Sequence, residues 1–199
     1  KLKKKFLNTT FDTIQINKIL KKLKEKKIEN VILEASSHGL NQNRLDGLKF
    51  DIGIFTNLSR DHLDYHKSYK NYLNSKLILF KKLLKKKAYA IFDEGLKISP
   101  TLSRITKLNN IEKFTIGNTK SRFEILDHQF LKNEQKILFR FNKKKFSFST
   151  KLIGRVQIKN LLMAIMAAMK SKVSLDKILK ITQKIEPVNG RLEKIGKLY

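Results

Sequence analysis

"VILEASSHGLNQNRL" (residues 31–45) and "FTNLSRDHLDYH" (residues 55–66) decide how this chain is read. The first opens in an apolar run, 30–35, and the second closes another, 50–57. Both runs predict short buried strands. Each then turns abruptly polar. His38, His62 and His66 lie within these strings, and His128 is the outlier. Polar, reactive groups at the end of a buried strand mark the usual site of an open α/β sheet.

Outward from these strings, the spacing of Tyr69, Tyr72, Leu73, Leu77, Phe80 and Leu84 predicts a long helix over 68–86, and "AYAIFD" predicts a third strand over 88–93. Upstream, Asp12 or Thr13 can cap a helix reaching residue 27, with Ile16, Ile19, Leu20 and Leu23 on one face. Strand, connection, strand, helix, strand argues a parallel sheet with right-handed crossovers. Beyond Gly95 come a strand at 113–117 and three shorter alternating runs. Their polar turns lie at Asn133 with Glu134 and at Asn142 with Lys143. A nearly all-apolar helix from Ile158 and another over 175–184 behind Ser174 complete the pattern. The expected fold class is α/β: a mostly parallel sheet flanked by helices, with a small antiparallel β element over 122–150.

With 199 residues and 41% hydrophobic content, the chain can hold one full domain. The absence of cysteine excludes disulfides and thiolate metal sites. No apolar run reaches membrane-spanning length, and the basic start lacks the apolar core of a signal peptide. The first residue is Lys, and "GRLEKIGKLY" shows no terminating element, so a piece of a longer protein is expected.

The net charge of +27 raises a basic nucleic-acid-binding module as one function class. The lysines are dispersed along predicted helices and turns, with no arginine-rich patch interleaved with exposed aromatics. Solvated helix faces in a lysine-biased chain are the favoured reading.

Glu34 ends an apolar run, where an unpaired carboxylate is costly. A salt-bridged strand end and a hard-cation ligand are both open for it. Arg60, Asp61, His62, Asp64 and His66 crowd the end of the next run. A His at one strand end with a Glu at its neighbour makes a plausible divalent-metal pair.

These strings, with "NSKLILF" (residues 74–80) after them, resemble the central domain of the Mur ligases. Within that family they are most similar to the MurE type, which adds the third residue to UDP-N-acetylmuramoyl-L-alanyl-D-glutamate. MurE-type members carry a string of the form "EVSSHAL", then Gln-x-Arg, then "TNLSRDHLDYH", then a helix with a special lysine. This chain has all four in order, and the resemblance runs from Asn8 to Glu193. It implies a P-loop-like central domain over 1–186 and a linker over 187–199 into a further domain.

The resemblance implies residue roles as well. Asn8, Thr9 and Thr10 match substrate contacts, as do Ser36, Gln42 and Arg44. Glu34 and His62 match ligands of Mg²⁺, and Lys76 matches a lysine that is carbamylated. Asn160 matches an asparagine near the adenine of ATP, and Arg191 an arginine that reaches the nucleotide. The implied protein is a cytoplasmic, monomeric, ATP-dependent ligase of cell-wall peptidoglycan synthesis, with no membrane or specific nucleic-acid partner. Its amino-acid substrate would be meso-diaminopimelate or L-lysine, with the former expected. Another Mur or folylpolyglutamate-type ligase is the nearest alternative.

The chemistry of the residues agrees with these roles. Arg44 offers a planar fork for a carboxylate or phosphate. Ser36, Thr9 and Thr10 offer neutral donors. An ordinary lysine is cationic and cannot bind Mg²⁺. Its carbamate is anionic and oxygen-rich, hence a hard-metal ligand.

Two departures concern what the family has and this stretch lacks. The phosphate-cradling Gly-rich loop is expected before Lys1, and the domain that selects the amino acid after Tyr199. Phe11 stands where proline is common, and Gln157 where asparagine is common.

Overall fold

A computed structural model describes residues 9–188 and Gly190. Asn8, Arg191 and most of the expected linker over 187–199 lie outside the described residues. The chain forms two compact units, one of residues up to Gly53 with Asn57–Tyr89 and Leu102–Glu112, the other of Ile54–Thr56, Ala90–Thr101 and the chain from Lys113 onward. Six strands form one sheet in sequence order: β1 (Phe50–Phe55), β2 (Leu84–Asp93), β3 (Glu112–Gly117), β4 (Phe123–Phe130), β5 (Gln135–Phe141) and β6 (Lys144–Thr150). Helical segments link β1 to β2 and β2 to β3, the crossover that parallel neighbours require. β3 and β4 pair in parallel, and the last three strands are antiparallel. The expected α/β class is therefore observed.

In the first unit, α1 (Thr13–Glu25) starts where Asp12 accepts the Gln15 N–H at 2.8 Å. Its Ile16 joins a core with Leu40, Leu45 and Leu83, against which Phe11, Leu33 and Ala35 pack. Phe11 thus has a packing role of its own. α2 (Ser37–Asn41), α3 (Leu63–His66) and α4 (Tyr69–Ile78) follow, and a π-helical turn, Leu79–Leu83, ends α4.

Three expectations need correction. The run at 30–35 belongs to no strand among the described residues. Its alternation survives, since Leu33 and Ala35 face the core. Ile32 is 99% exposed and Val31 46%, so this is no buried strand. An apolar run becomes a buried strand only where a ladder partner and a covering layer meet it.

The long helix expected over 68–86 stops at Leu83, and Leu84 to Lys87 belong to β2. Lys49 Nζ donates to the Lys82 carbonyl at 2.7 Å near the helix end, and Lys85 pairs with Asp51 of β1 at 2.7 Å. Tertiary pairing overrides the helix preference of Leu and Lys, although both rank among the better helix formers. The connection after Gly95 contains a further helix, α5 (Ser99–Leu108). Pro100 in its first turn and buried Leu102 and Ile105 are the signals that mark it.

In the second unit, the antiparallel element continues the main sheet through β4, which pairs with β3 at Ile116 with Phe123. Asn142 (φ 47°) and Lys143 (φ 66°) form the two-residue hairpin between β5 and β6. Both lie in the left-handed region, as a type I′ turn demands. Ile137 and Phe139 are fully buried beneath these hairpins. α6 (Arg155–Lys170) buries Ile158, Leu161, Leu162, Met163, Ile165 and Met166, and α7 (Leu175–Thr182) packs on α6 and β6.

Candidate functional site

The site residues of the first unit are held by short elements that leave and re-enter the core. Ser36 is the N-cap of α2 and accepts the Gly39 N–H at 3.1 Å. Thr10 is 2% exposed. Its Oγ1 lies 2.8 Å from both the Glu34 carbonyl and Ser36 Oγ, and it accepts the Ser36 N–H at 2.9 Å. Gln42 closes the C-terminal end of α2, and Arg44 follows it. Arg44 Nη1 donates to the Thr10 carbonyl at 2.8 Å, and Nε donates to Gln42 Oε1 at 2.9 Å. Gln42 Nε2 in turn donates to Tyr65 OH at 3.0 Å, as Asn41 Nδ2 does at 3.1 Å.

Thr10, Ser36, Gln42 and Arg44 are thus joined in one hydrogen-bonded network. Thr9 stands exposed beside Thr10. The two amide donors, with the positive charge of Arg44, lower the Tyr65 pKa.

Tyr65 opens a cluster of rings. His38 lies 4.2 Å from it, 4.9 Å from His62 and 5.4 Å from His66, centroid to centroid. Tyr72 of α4 lies 5.3 Å from His66. His66 is buried, and its Nε2 and Nδ1 face Ser37 Oγ at 3.0 Å and Ser75 Oγ at 3.4 Å. Burial, then the charges of His38 and His62, lowers its pKa. Ser75 Oγ also contacts the Asn71 carbonyl at 2.9 Å and Asn41 Oδ1 at 3.2 Å. His66 is therefore engaged through both ring nitrogens and forms a wall of the cluster.

His62 caps α3 from the left-handed region, φ 55° and ψ 28°. That conformation is uncommon for a non-glycine residue, and it sets the ring facing His38 and Tyr72. Asp61 Oδ1 accepts the His62 N–H at 2.9 Å, which holds the turn.

Lys76 sits one turn after Tyr72 on α4. Its Nζ donates to the Asn57 carbonyl, just beyond β1, at 2.8 Å, and lies 3.5 Å from Tyr72 OH. Burial pulls its pKa below the ordinary lysine value, against the opposing charges of Asp61 and Glu34. Of the three residues the sequence marked, Lys76 feels the charge of Glu34, and His62 lies 6.0 Å from the Tyr72 ring whose hydroxyl Lys76 approaches. No group of three His, Cys, Asp or Glu suited to a metal occurs among the described residues. The Asn57 carbonyl oxygen beside the Lys76 ammonium is of the kind a hard divalent cation takes. Such an ion would need a further anionic ligand beside Glu34 and His62, which a Lys76 carbamate has the right chemistry to be.

Asn160 lies half-buried on α6 in the second unit. Its neighbour Lys159 donates to buried Asp93, whose other oxygen accepts the Gly95 N–H at 2.9 Å. Sequence reasoning passed over Asp93 and Lys159, as it did Tyr65 and Asn41. Tyr72, which the spacing places on the apolar stripe of the predicted helix, brings its hydroxyl to 3.5 Å from Lys76 Nζ.

The family model for the Mur ligase middle domain matches residues 2–168. The UDP-N-acetylmuramoyl-L-alanyl-D-glutamate–2,6-diaminopimelate ligase of Rickettsia conorii is 36% identical over 187 residues, covering 94% of this chain and 39% of that protein. The corresponding L-lysine ligase of Staphylococcus haemolyticus is 35% identical over 198 residues, covering 94% and 38%. The chain therefore spans about two fifths of the length of the curated relatives it matches. A solved UDP-N-acetylmuramoyl-L-alanyl-D-glutamate–2,6-diaminopimelate ligase superposes with a TM-score of 0.86 at 26% identity, covering 98% of this chain and 40% of that one. Matched through most of its length by the family model, this chain belongs to the Mur ligases, as their middle domain.

Proposed function

We propose that this chain is the ATP- and substrate-binding middle domain of a MurE-type ligase. The whole enzyme would add meso-diaminopimelate to UDP-N-acetylmuramoyl-L-alanyl-D-glutamate in the cytoplasm, as part of peptidoglycan synthesis and hence of cell shape and division. The observation that carries this reading is the joining of Thr10, Ser36, Gln42 and Arg44 in one network. The named activities of the Rickettsia and Staphylococcus relatives agree with ligation to this muramoyl substrate, and that of the Rickettsia relative with diaminopimelate as the amino acid.

In this reading, ATP passes its γ-phosphoryl group to a carboxylate of the D-glutamyl residue, leaving ADP and an acyl phosphate. The amine of the incoming amino acid attacks the acyl carbon. The tetrahedral intermediate collapses by breaking the C–O bond to phosphate, and the amine proton is lost to solvent. Arg44, Thr9 and Ser36, with Asn8 and Gln42, would bind and orient the muramoyl substrate, and buried Thr10 would hold Ser36 and Arg44 in place for it. Glu34, His62 and carbamylated Lys76 would hold Mg²⁺, which when bound offsets the charge gathered at the phosphates. Asn160 and Arg191 would contact the nucleotide.

Lys76 supports this assignment because burial enlarges the fraction of neutral amine, the form that reacts with CO₂. The amine nitrogen bonds to the CO₂ carbon and releases one proton, giving the carbamate.

The test is ATP-dependent ligation by the full-length parent, wild type against Lys76→Ala, with diaminopimelate and L-lysine as competing acceptors. Activity undiminished in Lys76→Ala would remove the carbamate role. Preference for L-lysine would reassign the amino acid while leaving the reaction in place.

A further inference from the structure

A second charged constellation lies in the second unit, and none of its residues belongs to the Thr10–Lys76 network. Lys113, Thr115, Lys120, Ser121, Arg122 and Asn142 line an open pocket of about 330 Å³. They come from β3, from the turn before β4 and from the β5–β6 hairpin.

The acid that meets this lining is already satisfied. Glu94 accepts Lys113 Nζ at 3.0 Å, Thr115 Oγ1 at 3.1 Å and Ser121 Oγ at 2.9 Å. Burial pushes its carboxyl up, yet these bonds and the Lys113 charge outweigh burial and hold it below the usual range. Lys113 and both hydroxyls are thereby turned to Glu94, which leaves Lys120, Arg122 and the Asn142 amide to face a ligand.

Arg122 is the distinctive member. Its guanidinium stacks on two rings, 5.3 Å from the Phe114 centroid and 5.4 Å from that of Phe141. Lys170 lies 3.9 Å from the same Phe114 ring, adding a further cation. Stacking restrains the plane of the fork without using its N–H donors. Among the described residues, neither Arg122 nor Lys120 makes a side-chain hydrogen bond or ion pair. Lys120 adopts φ 74°, so the turn presents it in a defined direction.

A restrained fork, a nearby ammonium and an amide donor suit a tetrahedral oxyanion, which offers several acceptors to planar donors. A solvated lysine face would need neither the two-ring stack nor three donors turned onto its acid.

We propose that this pocket is an oxyanion site for a phosphate group, with the Arg122 fork as its main contact and Lys120 as the second cation. The group would be free phosphate or the phosphate of a nucleoside monophosphate, which share this chemistry.

The test is a titration of the ¹⁵N-labelled chain with inorganic phosphate, at ionic strength held constant with chloride, and in a second arm with adenosine monophosphate. The Arg122 Nε–H signal and the amides of Lys120, Ser121 and Asn142 should shift together and saturate. Arg122→Gln and Lys120→Gln should each weaken binding by about tenfold, the loss of one charge-assisted contact. Lys132→Gln, in the β4–β5 turn, should leave it unchanged. Lys120→Gln at an exposed turn keeps the test sound should Arg122→Gln not fold. Tighter binding of the nucleotide identifies nucleoside monophosphate as the source, equal binding identifies free phosphate, and either supports the site. Shifts that spread over the lysine-rich surface without saturating, unchanged in the two variants, would overturn it.

Discussion

Arg44 Nη1 donates to the carbonyl oxygen of Thr10 across 2.8 Å, although 34 residues separate them. The same guanidinium uses Nε on Gln42, so one rigid fork fixes a main-chain oxygen and a side-chain amide together. A lysine could reach one of these partners but not both.

Arg44→Lys in the full-length parent should therefore raise KM for the muramoyl dipeptide by roughly tenfold to a hundredfold, the loss of about 1.5–3 kcal/mol of charged hydrogen bonding. Steady-state ligation kinetics measure it. An unchanged KM would separate Arg44 from substrate binding.

Thr10→Val keeps the shape of the buried side chain and removes its hydroxyl. The Ser36 N–H loses its acceptor and the Glu34 carbonyl loses a donor. The expected cost is about 1–3 kcal/mol, read as a lower urea midpoint at unchanged slope. Thr10→Ser, which retains the oxygen, should recover most of it.

Lys76 makes carbamylation dependent on pH. Its folded-state pKa is lowered, chiefly by burial, so the neutral amine is present at lower pH than in the unfolded chain. With ¹³C-bicarbonate at fixed CO₂, a carbamate signal should grow as pH rises through that lowered pKa, and vanish in Lys76→Ala. Between the folded pKa and the ordinary lysine value the unfolded state holds more protons. Stability from this group therefore rises with pH across that window.

His66 acts in the acid range. Its pKa is lowered, first by burial, so the folded state resists a proton that the unfolded chain accepts near the ordinary value of about 6.5. Stability should fall as pH drops from that value toward the folded pKa, and level off below it. Thermal melts from pH 8 to pH 5 should show a shallower decline in His66→Gln than in the parent. Identical slopes would assign the decline to other groups.

Much of this protein was legible in local pattern. The caps at Asp12 and Ser36, the periodicity of α1 and the Asn142–Lys143 hairpin depend on neighbours within a few residues, where side-chain type dictates backbone geometry. The two polar strings likewise held Glu34, Ser36, Gln42, Arg44 and His62 in order, with Lys76 on the following helix. What they did not carry was partnership. That Leu84 to Lys87 form a strand follows from pairing with β1, and that Ile32 is exposed follows from the absence of a described ladder partner. Only the tertiary structure joined Thr10 to Ser36 and Arg44, enclosed His66 between two serines, and set the Tyr72 hydroxyl beside Lys76. Periodicity records which face of a segment is apolar. Hydrogen-bond partnership, burial and the pKa shifts that follow from them arise between segments far apart in the chain, and exist only once those segments have met.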